Sequence, residues 1–128
     1  PWEELKALSI HSWCSGGIHP FLARVNNPAK VCSTPGSEES VVKEATAVLH
    51  ENFAVADDML KGREFFFDHF TTPDAHFFWC VRRAGELGVD TSQFANVRAH
   101  FERMRARPSV KKVEAFEASV LADFAKAS

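Results

Sequence analysis

Apolar positions recur at three- and four-residue steps along almost the whole chain, which is the spacing of amphipathic helices. The first such run extends from Glu3 to about Val25, and it is interrupted by Gly16, Gly17 and Pro20. Pro20 has no N–H to donate to the carbonyl of Gly16, and its ring crowds that carbonyl. The pattern therefore predicts one kinked helix rather than two separate helices.

A second amphipathic helix is predicted from Val41 to Lys61, with Gly62 in the usual position for ending a helix. The stretch before it, "NNPAKVCSTPGS", is rich in Asn, Pro, Gly and Ser and predicts a connecting loop.

The stretch "HFTTPDAHFFWC" combines turn-forming residues with one of the most apolar segments of the chain. Thr71 and Asp74 have the spacing of a capping box, in which each satisfies a backbone N–H near the other. Pro73 fits the first turn, where its missing N–H is not needed. The following residues are apolar around most of the circumference, which predicts a helix in the middle of a bundle.

Two further helices are predicted after this central helix. Asp90 and Thr91 are candidate caps for the first of them, and the second begins at Pro108 because the residue before a proline avoids the helical region. The apolar positions that carry these helices are Phe94, Val97, Phe101 and Met104, then Val110, Val113, Phe116, Val120, Leu121 and Phe124. The prediction is an all-α domain over residues 1–128, a five-helix bundle with a central apolar helix and no convincing strand.

Composition narrows the function classes. Hydrophobic residues make up 45% and charged residues 25%, with a net charge of −2, so no strong field attracts nucleic acid or an anionic membrane. No apolar run approaches the roughly 20 residues that cross a bilayer. Cys14, Cys32 and Cys80 lack metal-ligand spacing, and a reducing cytoplasm is the expected compartment. No Glu stands three residues before a His, which argues against a di-metal bundle site, and no metal is expected.

The segments "FTTPDAHFFWCVRRA" and "GVDTSQFANVRAHFERMRARPSV" resemble the C-terminal helical domain of glutathione S-transferases. Thr71 and Asp74 match that family's capping box. The family's pattern at the end of the next helix is matched by Arg103, Met104, Arg107, Pro108 and Val110. The first helix is similar to its counterpart in bacterial members, where a His at the position of His19 follows a small-residue stretch.

The resemblance implies a cytoplasmic, dimeric, bacterial-type transferase. In that family a thioredoxin-like N-terminal domain holds most groups that bind glutathione, the co-substrate, and the residue that activates its thiol. Nothing in this chain predicts such a domain. The chain would then supply the wall of the site for an apolar electrophile, and we expect the chain alone to be inactive.

Five residues of the first helix are candidates for this wall: Trp13, Cys14, Gly16, Gly17 and His19. Each also has a structural interpretation. Trp13 is also typical of a half-buried core, Cys14 of an inert thiol, the two glycines of close helix packing, and His19 of an exposed position beside a kink. For Thr71 and Asp74, the capping box explains the residues without a ligand.

An alternative is a non-catalytic interaction module, because the same fold serves as a binding scaffold in other proteins. The first helix carries two apolar stripes: Trp2, Leu5 and Leu8 on one side, and Ile10, Ile18 and Phe21 on the other. A bundle buries one stripe easily, whereas two require a second partner. We therefore expect self-association, or binding of a thioredoxin-like partner, through part of the Trp2–Phe21 segment.

Overall fold

The computed structural model describes residues 1–127, and within them the chain forms helices and no strand. The elements are α1 (Trp2–Trp13), a π-helical turn (Cys14–Ile18), α2 (His19–Asn26), a 3-10 turn (Pro28–Lys30), α3 (Glu38–Met59), α4 (Thr72–Glu86), α5 (Ala95–Arg105) and α6 (Pro108–Ala127). Because α1, the π turn and α2 follow one another without a gap, the bundle has five main helical segments. The predicted all-α fold class is confirmed.

The break at the two glycines takes the form of the π turn. The N–H of His19 donates to the carbonyl of Cys14, five residues back, instead of four. Pro20 then lies in the first turn of α2, where a helix tolerates proline. The expected irregularity is therefore a single widened turn inside a continuous helical segment, the usual form of such an insertion.

Helix α4 lies at the centre of the bundle, where it contacts α1, α2 and α5. Phe77 of α4 is completely buried and packs edge-on against Phe53 of α3 and Phe66 of the segment before α4. Aromatic rings favour such edge-to-face pairs. The apolar side chains that the sequence predicts around the whole circumference of this helix thus pack against several neighbouring elements.

Two predicted helix ends differ from the structure. Helix α3 ends at Met59 rather than Lys61, and Gly62, with φ of +70°, completes the turn beyond it. Asp90 and Thr91 do not cap α5. Instead, Asp57 of α3 accepts hydrogen bonds from the N–H groups of Asn96 and Val97, at 2.7 and 3.0 Å. The caps were misassigned because the true cap comes from a distant part of the sequence.

Helix α6 follows the predicted start at Pro108 but packs loosely on the rest of the bundle. Among the described residues it makes its main backbone approach to α5. Its large apolar side chains remain mostly exposed: Val113, Phe116, Leu121 and Phe124 are each between 53% and 70% exposed. The apolar pattern correctly predicts the helix and does not predict burial. No helix within residues 1–127 has the length and apolar character needed to span a membrane.

Candidate functional site

A seam of histidine and aromatic side chains runs between the first helical segment and α4. The imidazole of His19 stands against the indole of Trp79, with ring centroids 4.8 Å apart. About two helical turns before His19, His11 Nδ1 lies 3.2 Å from His76 Nδ1, and His11 Nε2 lies 2.9 Å from the hydroxyl of Thr72. The seam therefore presents hydrogen-bonding imidazoles beside an aromatic surface.

The pairing within the seam limits its charge. Burial lowers the pKa of His76, and the neighbouring His11 and His19 lower it further because a positive charge on either disfavours a second one. In the short contact between His11 and His76, one Nδ1 must donate and the other must accept. The imidazole of His76 is therefore uncharged at neutral pH, and it takes part in the seam as a neutral hydrogen-bonding group.

The predicted wall residues do not all reach this seam. Trp13 turns toward α3 and α4, where its Nε1–H donates to Asn52 Oδ1 at 2.6 Å and its ring stacks on Phe77. Cys14 is completely buried in the hydrophobic core. Only His19 among the candidate side chains is brought to the exposed side of the seam.

The two glycines have different surroundings. A Cβ added to Gly17 would lie 2.9 Å from Cδ1 of Trp13 and 3.3 Å from Oδ1 of Asn52, so Gly17 makes room for the Trp13–Asn52 contact. A Cβ added to Gly16 would meet no atom within 4 Å, and Gly16 lies on the exposed surface. Close packing therefore accounts for Gly17, and Gly16 remains accessible.

The buried cysteines have the environment of inert thiols. Cys14 at the π turn and Cys80 on α4 belong to the same core and are both completely buried. Hydrogen bonding to Cys14, together with burial, raises the pKa of the Cys80 thiol. The same contact lowers the pKa of the Cys14 thiol, against the effect of its burial. Neither cysteine has the exposed, cationic surroundings typical of a reactive thiol, which agrees with a structural role for both.

The capping box at the start of α4 is part of a larger buried network. Asp74 Oδ2 accepts from the N–H and the hydroxyl of Thr71, at 2.9 and 3.0 Å. Asp74 Oδ1 accepts from the N–H of Phe66 at 3.1 Å and faces His100 Nε2 at 3.0 Å. All four contacts are internal, and the Asp74 side chain is completely buried. Its position accounts for a structural role and leaves no lone pair facing a groove.

The two apolar stripes of α1 and α2 differ in how far they are buried. Ile10, Ile18 and Phe21 belong to the core or pack against it. On the other stripe, Trp2, Leu5 and Leu8 are between 59% and 71% exposed. The uncovered stripe is of the kind that marks an interaction surface in a folded domain.

Two grooves open on the surface of the bundle. One, of about 660 Å³, lies between the start of α1, the end of α3 and the segment before α4, and its lining includes Trp2, Lys6, Arg63 and Phe67. The other, of about 580 Å³, lies between α4 and α6, and Trp79 forms part of its lining. None of the predicted wall residues lines either groove. Trp79 is the residue that joins the α4–α6 groove to His19.

The residues that sequence reasoning missed are His11, His76 and Trp79. One signal was available for the first of these, because His11 and His19 lie about two helical turns apart and so share a face of the first segment. Nothing in the sequence indicated which α4 side chains would stand opposite that face. Among residues 1–127 no group of three or more His, Cys, Asp or Glu side chains is arranged to hold a metal ion.

Comparison with known proteins agrees with this architecture. No curated protein matches the chain. Residues 18–108 match the family model described as "Glutathione S-transferase, C-terminal domain", which covers the chain from the last residue of the π turn to the first residue of α6. Because the match includes most of the chain, and the all-helical bundle with a central α4 accords with it, this protein belongs to the family of glutathione S-transferase C-terminal domains.

Proposed function

We propose that this domain forms the wall of the apolar electrophile site in a glutathione S-transferase-like protein, while a thioredoxin-like domain binds glutathione and activates its thiol. The observation that carries the proposal is the tilted contact between the rings of His19 and Trp79, with centroids 4.8 Å apart. It places an aromatic surface and a hydrogen-bonding imidazole together at an exposed edge. An apolar electrophile would pack against the aromatic surface. The polar group to which it becomes attached would form a hydrogen bond with the imidazole.

The wall as proposed is built from His19, Trp79 and the exposed Gly16. Trp13, Cys14 and Gly17 support it from behind, because their packing fixes the π turn that precedes His19. The reaction would be attack of the glutathione thiolate on the electrophile, with the thiolate generated in the other domain. This domain would orient the electrophile and exclude water from it.

The uncovered stripe of α1 supports the two-domain arrangement. Trp2, Leu5 and Leu8 form an exposed apolar surface on α1, in the same helical segment as His19, and a partner that covers it would lie along that segment. A thioredoxin-like domain is the occupant that the family implies. The protein would act in the cytoplasm as a dimer.

A product analogue tests the proposed site with the chain as it is. We would titrate the ¹⁵N-labelled chain with S-(2,4-dinitrophenyl)glutathione, which carries both the peptide and the apolar group, and follow the indole N–H signals. The three tryptophans report on three places: Trp79 on the seam, Trp2 on the groove at the start of α1, and Trp13 on the interior. We expect the Trp79 signal to shift in a saturable way, and we expect His19→Ala to lower the affinity that this titration measures.

Shifts confined to Trp2, or no saturable shift at all, would contradict the proposed wall. The second outcome would favour the alternative, a non-catalytic interaction module of the same fold, for which the exposed stripe of α1 is the supporting observation. We also expect the purified chain to conjugate glutathione to an aromatic halide no faster than the uncatalysed reaction. Turnover well above that rate would place the chemistry in these helices.

A further inference from the structure

The π turn and α4 hold a pair of thiols, Cys14 and Cys80, that the proposed function does not use as reactive groups. Both side chains are completely buried in one core, and the two thiols are hydrogen-bonded to each other. Cys80 follows Trp79 directly in α4, and the carbonyl of Cys14 accepts the N–H of His19 across the π turn. We propose that the pair is a redox-sensitive site, at which oxidation joins the two sulfur atoms in a disulfide between the π turn and α4.

The packing of the two elements supplies the geometry for this bond. Cys14 is the first residue of the π turn, and the π turn lies against α4, which carries Cys80. A disulfide needs two cysteines whose sulfur atoms meet without a large movement of the backbone, and two thiols in hydrogen-bonding contact satisfy that condition. Cys32, between the 3-10 turn and α3, is not part of this core and does not compete for either thiol.

The hydrogen bond between the thiols decides which sulfur reacts first. It lowers the pKa of the Cys14 thiol and raises the pKa of the Cys80 thiol, so Cys14 is the one that forms a thiolate. With hydrogen peroxide as the oxidant, this thiolate attacks one oxygen, the O–O bond breaks, and the departing hydroxide takes up a proton and leaves as water. Cys14 is then a sulfenic acid.

The second step closes the bond. The sulfur of Cys80 attacks Sγ of Cys14, the S–O bond of the sulfenic acid breaks, and the hydroxyl group leaves as water with the proton of the Cys80 thiol. In total, two thiols are oxidised to one disulfide while one peroxide molecule is reduced to two molecules of water. A small dithiol reductant reverses the reaction by thiol–disulfide exchange.

The π turn gives a small oxidant its route to Cys14. Glycine is a poor helix former, and Gly16 and Gly17 lie side by side in this turn, immediately before the helix that contains Pro20. Ser15 and Gly16 are exposed, so a local opening of the turn brings Cys14 to the surface without unfolding the bundle. Burial otherwise keeps both thiols away from solvent, and in a reducing compartment the pair therefore rests as thiols.

The disulfide would act on the contact between His19 and Trp79. It closes a long loop, from Cys14 to Cys80, and a cross-link across a long loop restricts the unfolded chain strongly. It also holds the π turn that precedes His19 against the part of α4 that carries Trp79. The oxidised chain is therefore expected to be more stable than the reduced chain and to hold these two rings in a changed position.

Intact mass and peptide mapping test the bond. The parent is the chain with Cys32→Ser, because the third thiol would otherwise cross-link different molecules. After treatment of the native parent with hydrogen peroxide, we expect a loss of about 2 Da, the mass of two hydrogen atoms. The peptides that contain Cys14 and Cys80 should be linked, and dithiothreitol should restore the starting mass.

Two further measurements on the same parent test the consequence. The melting temperature should be several degrees higher in the oxidised form. In ¹H–¹⁵N spectra the indole signal of Trp79 should move on oxidation and return on reduction, whereas that of Trp2, in the groove at the start of α1, should stay in place.

Matched single variants of the parent test the order of attack. Cys80→Ser leaves the sulfenic acid of Cys14 without a partner, so dimedone should trap it, whereas Cys14→Ser should give neither a disulfide nor an adduct. A parent that keeps its reduced mass, a disulfide that forms only in urea, an oxidised form that melts no higher, or trapping at Cys80 would overturn the proposal. The mass measurement stands even if a variant at a buried cysteine fails to fold. None of these outcomes depends on whether the glutathione conjugate binds at Trp79.

Discussion

His100 Nε2 lies 3.0 Å from Asp74 Oδ1 in the interior of the bundle, and both side chains are completely buried. The ring of His100 is surrounded by phenylalanines, with Phe66 and Phe77 each 5.7 Å away between centroids. Its other nitrogen, Nδ1, is buried and has no hydrogen-bond partner among residues 1–127. The contact thus joins α5 to the cap of α4 through one polar bond in an apolar environment.

The first prediction concerns the carboxylate. Asp74→Asn should lower the free energy of unfolding by about 2–4 kcal/mol at neutral pH, because the amide replaces an ionised acceptor of several buried hydrogen bonds with a group that also donates. Urea denaturation measures the change. Asp68→Asn, at an exposed position of the preceding segment, is the matched control and should have little effect.

The same network predicts how the effect depends on pH. Burial by itself would raise the pKa of Asp74, but the hydrogen bonds from His100, from the N–H groups of Thr71 and Phe66, and from the Thr71 hydroxyl outweigh it, so the pKa is lowered from 3.8. A carboxyl whose pKa is lower in the folded state stabilises the fold above its unfolded pKa and loses that contribution as the pH falls through its folded pKa. The difference between the wild type and Asp74→Asn should therefore be constant above about pH 5 and shrink below about pH 4. A difference that stays constant to about pH 2 would contradict the assignment.

A third prediction separates His100 from its neighbours. His100→Phe keeps an aromatic ring among the phenylalanines and removes the donor to Asp74, so the pKa of Asp74 should rise and acid unfolding should begin at a higher pH. We expect a cost of about 1–3 kcal/mol at neutral pH. Carbon-detected NMR of the Asp74 carboxyl measures the pKa directly. His69→Phe, on an exposed imidazole, should leave that pKa unchanged.

The two glycines of the π turn offer a matched pair for a fourth prediction. Gly17→Ala should destabilise the fold by about 1–3 kcal/mol, because the new methyl group meets the Trp13 ring at 2.9 Å and forces it away from Asn52. Gly16→Ala adds the same methyl group where no atom lies within 4 Å, and it should be neutral or stabilise the helix by up to about 1 kcal/mol. Thermal melts of the two variants measure the difference. Equal effects would mean that helix propensity, rather than packing against Trp13, decides the outcome.

The parts of this fold that were predictable depend on residues close together in sequence. The cap of α4 followed from Thr71 and Asp74, three positions apart, and the irregular turn followed from the glycines and Pro20. Helix periodicity correctly gave the number of main helical segments. Each of these features is decided by backbone groups within one or two turns, so the sequence pattern contains the necessary information.

The parts that were missed depend on tertiary contacts. The apolar stripe of α6 predicted a helix, but periodicity does not say whether the stripe has a partner within the chain. The sequence indicates only that Trp79 lies on an apolar helix. The packing of α4 against the first helical segment shows that its ring faces His19. The predicted wall combined residues from all sides of one helix, and the structure separates Trp13 and Cys14 from His19 because a helix presents successive residues about 100° apart.

The last prediction concerns the cap that α3 provides for α5. Asp57 accepts from the N–H groups of Asn96 and Val97, and its other oxygen accepts from the Asn96 side chain at 3.0 Å, so one carboxylate satisfies donors that α5 itself leaves open. Asp57→Ala should cost about 1–2 kcal/mol and increase hydrogen exchange at the start of α5. Asp58→Ala, at the exposed neighbouring position, removes the same charge without the contact and should change neither quantity appreciably. If both variants lose the same stability, the effect comes from the charge near the end of α3 and not from the cap on α5.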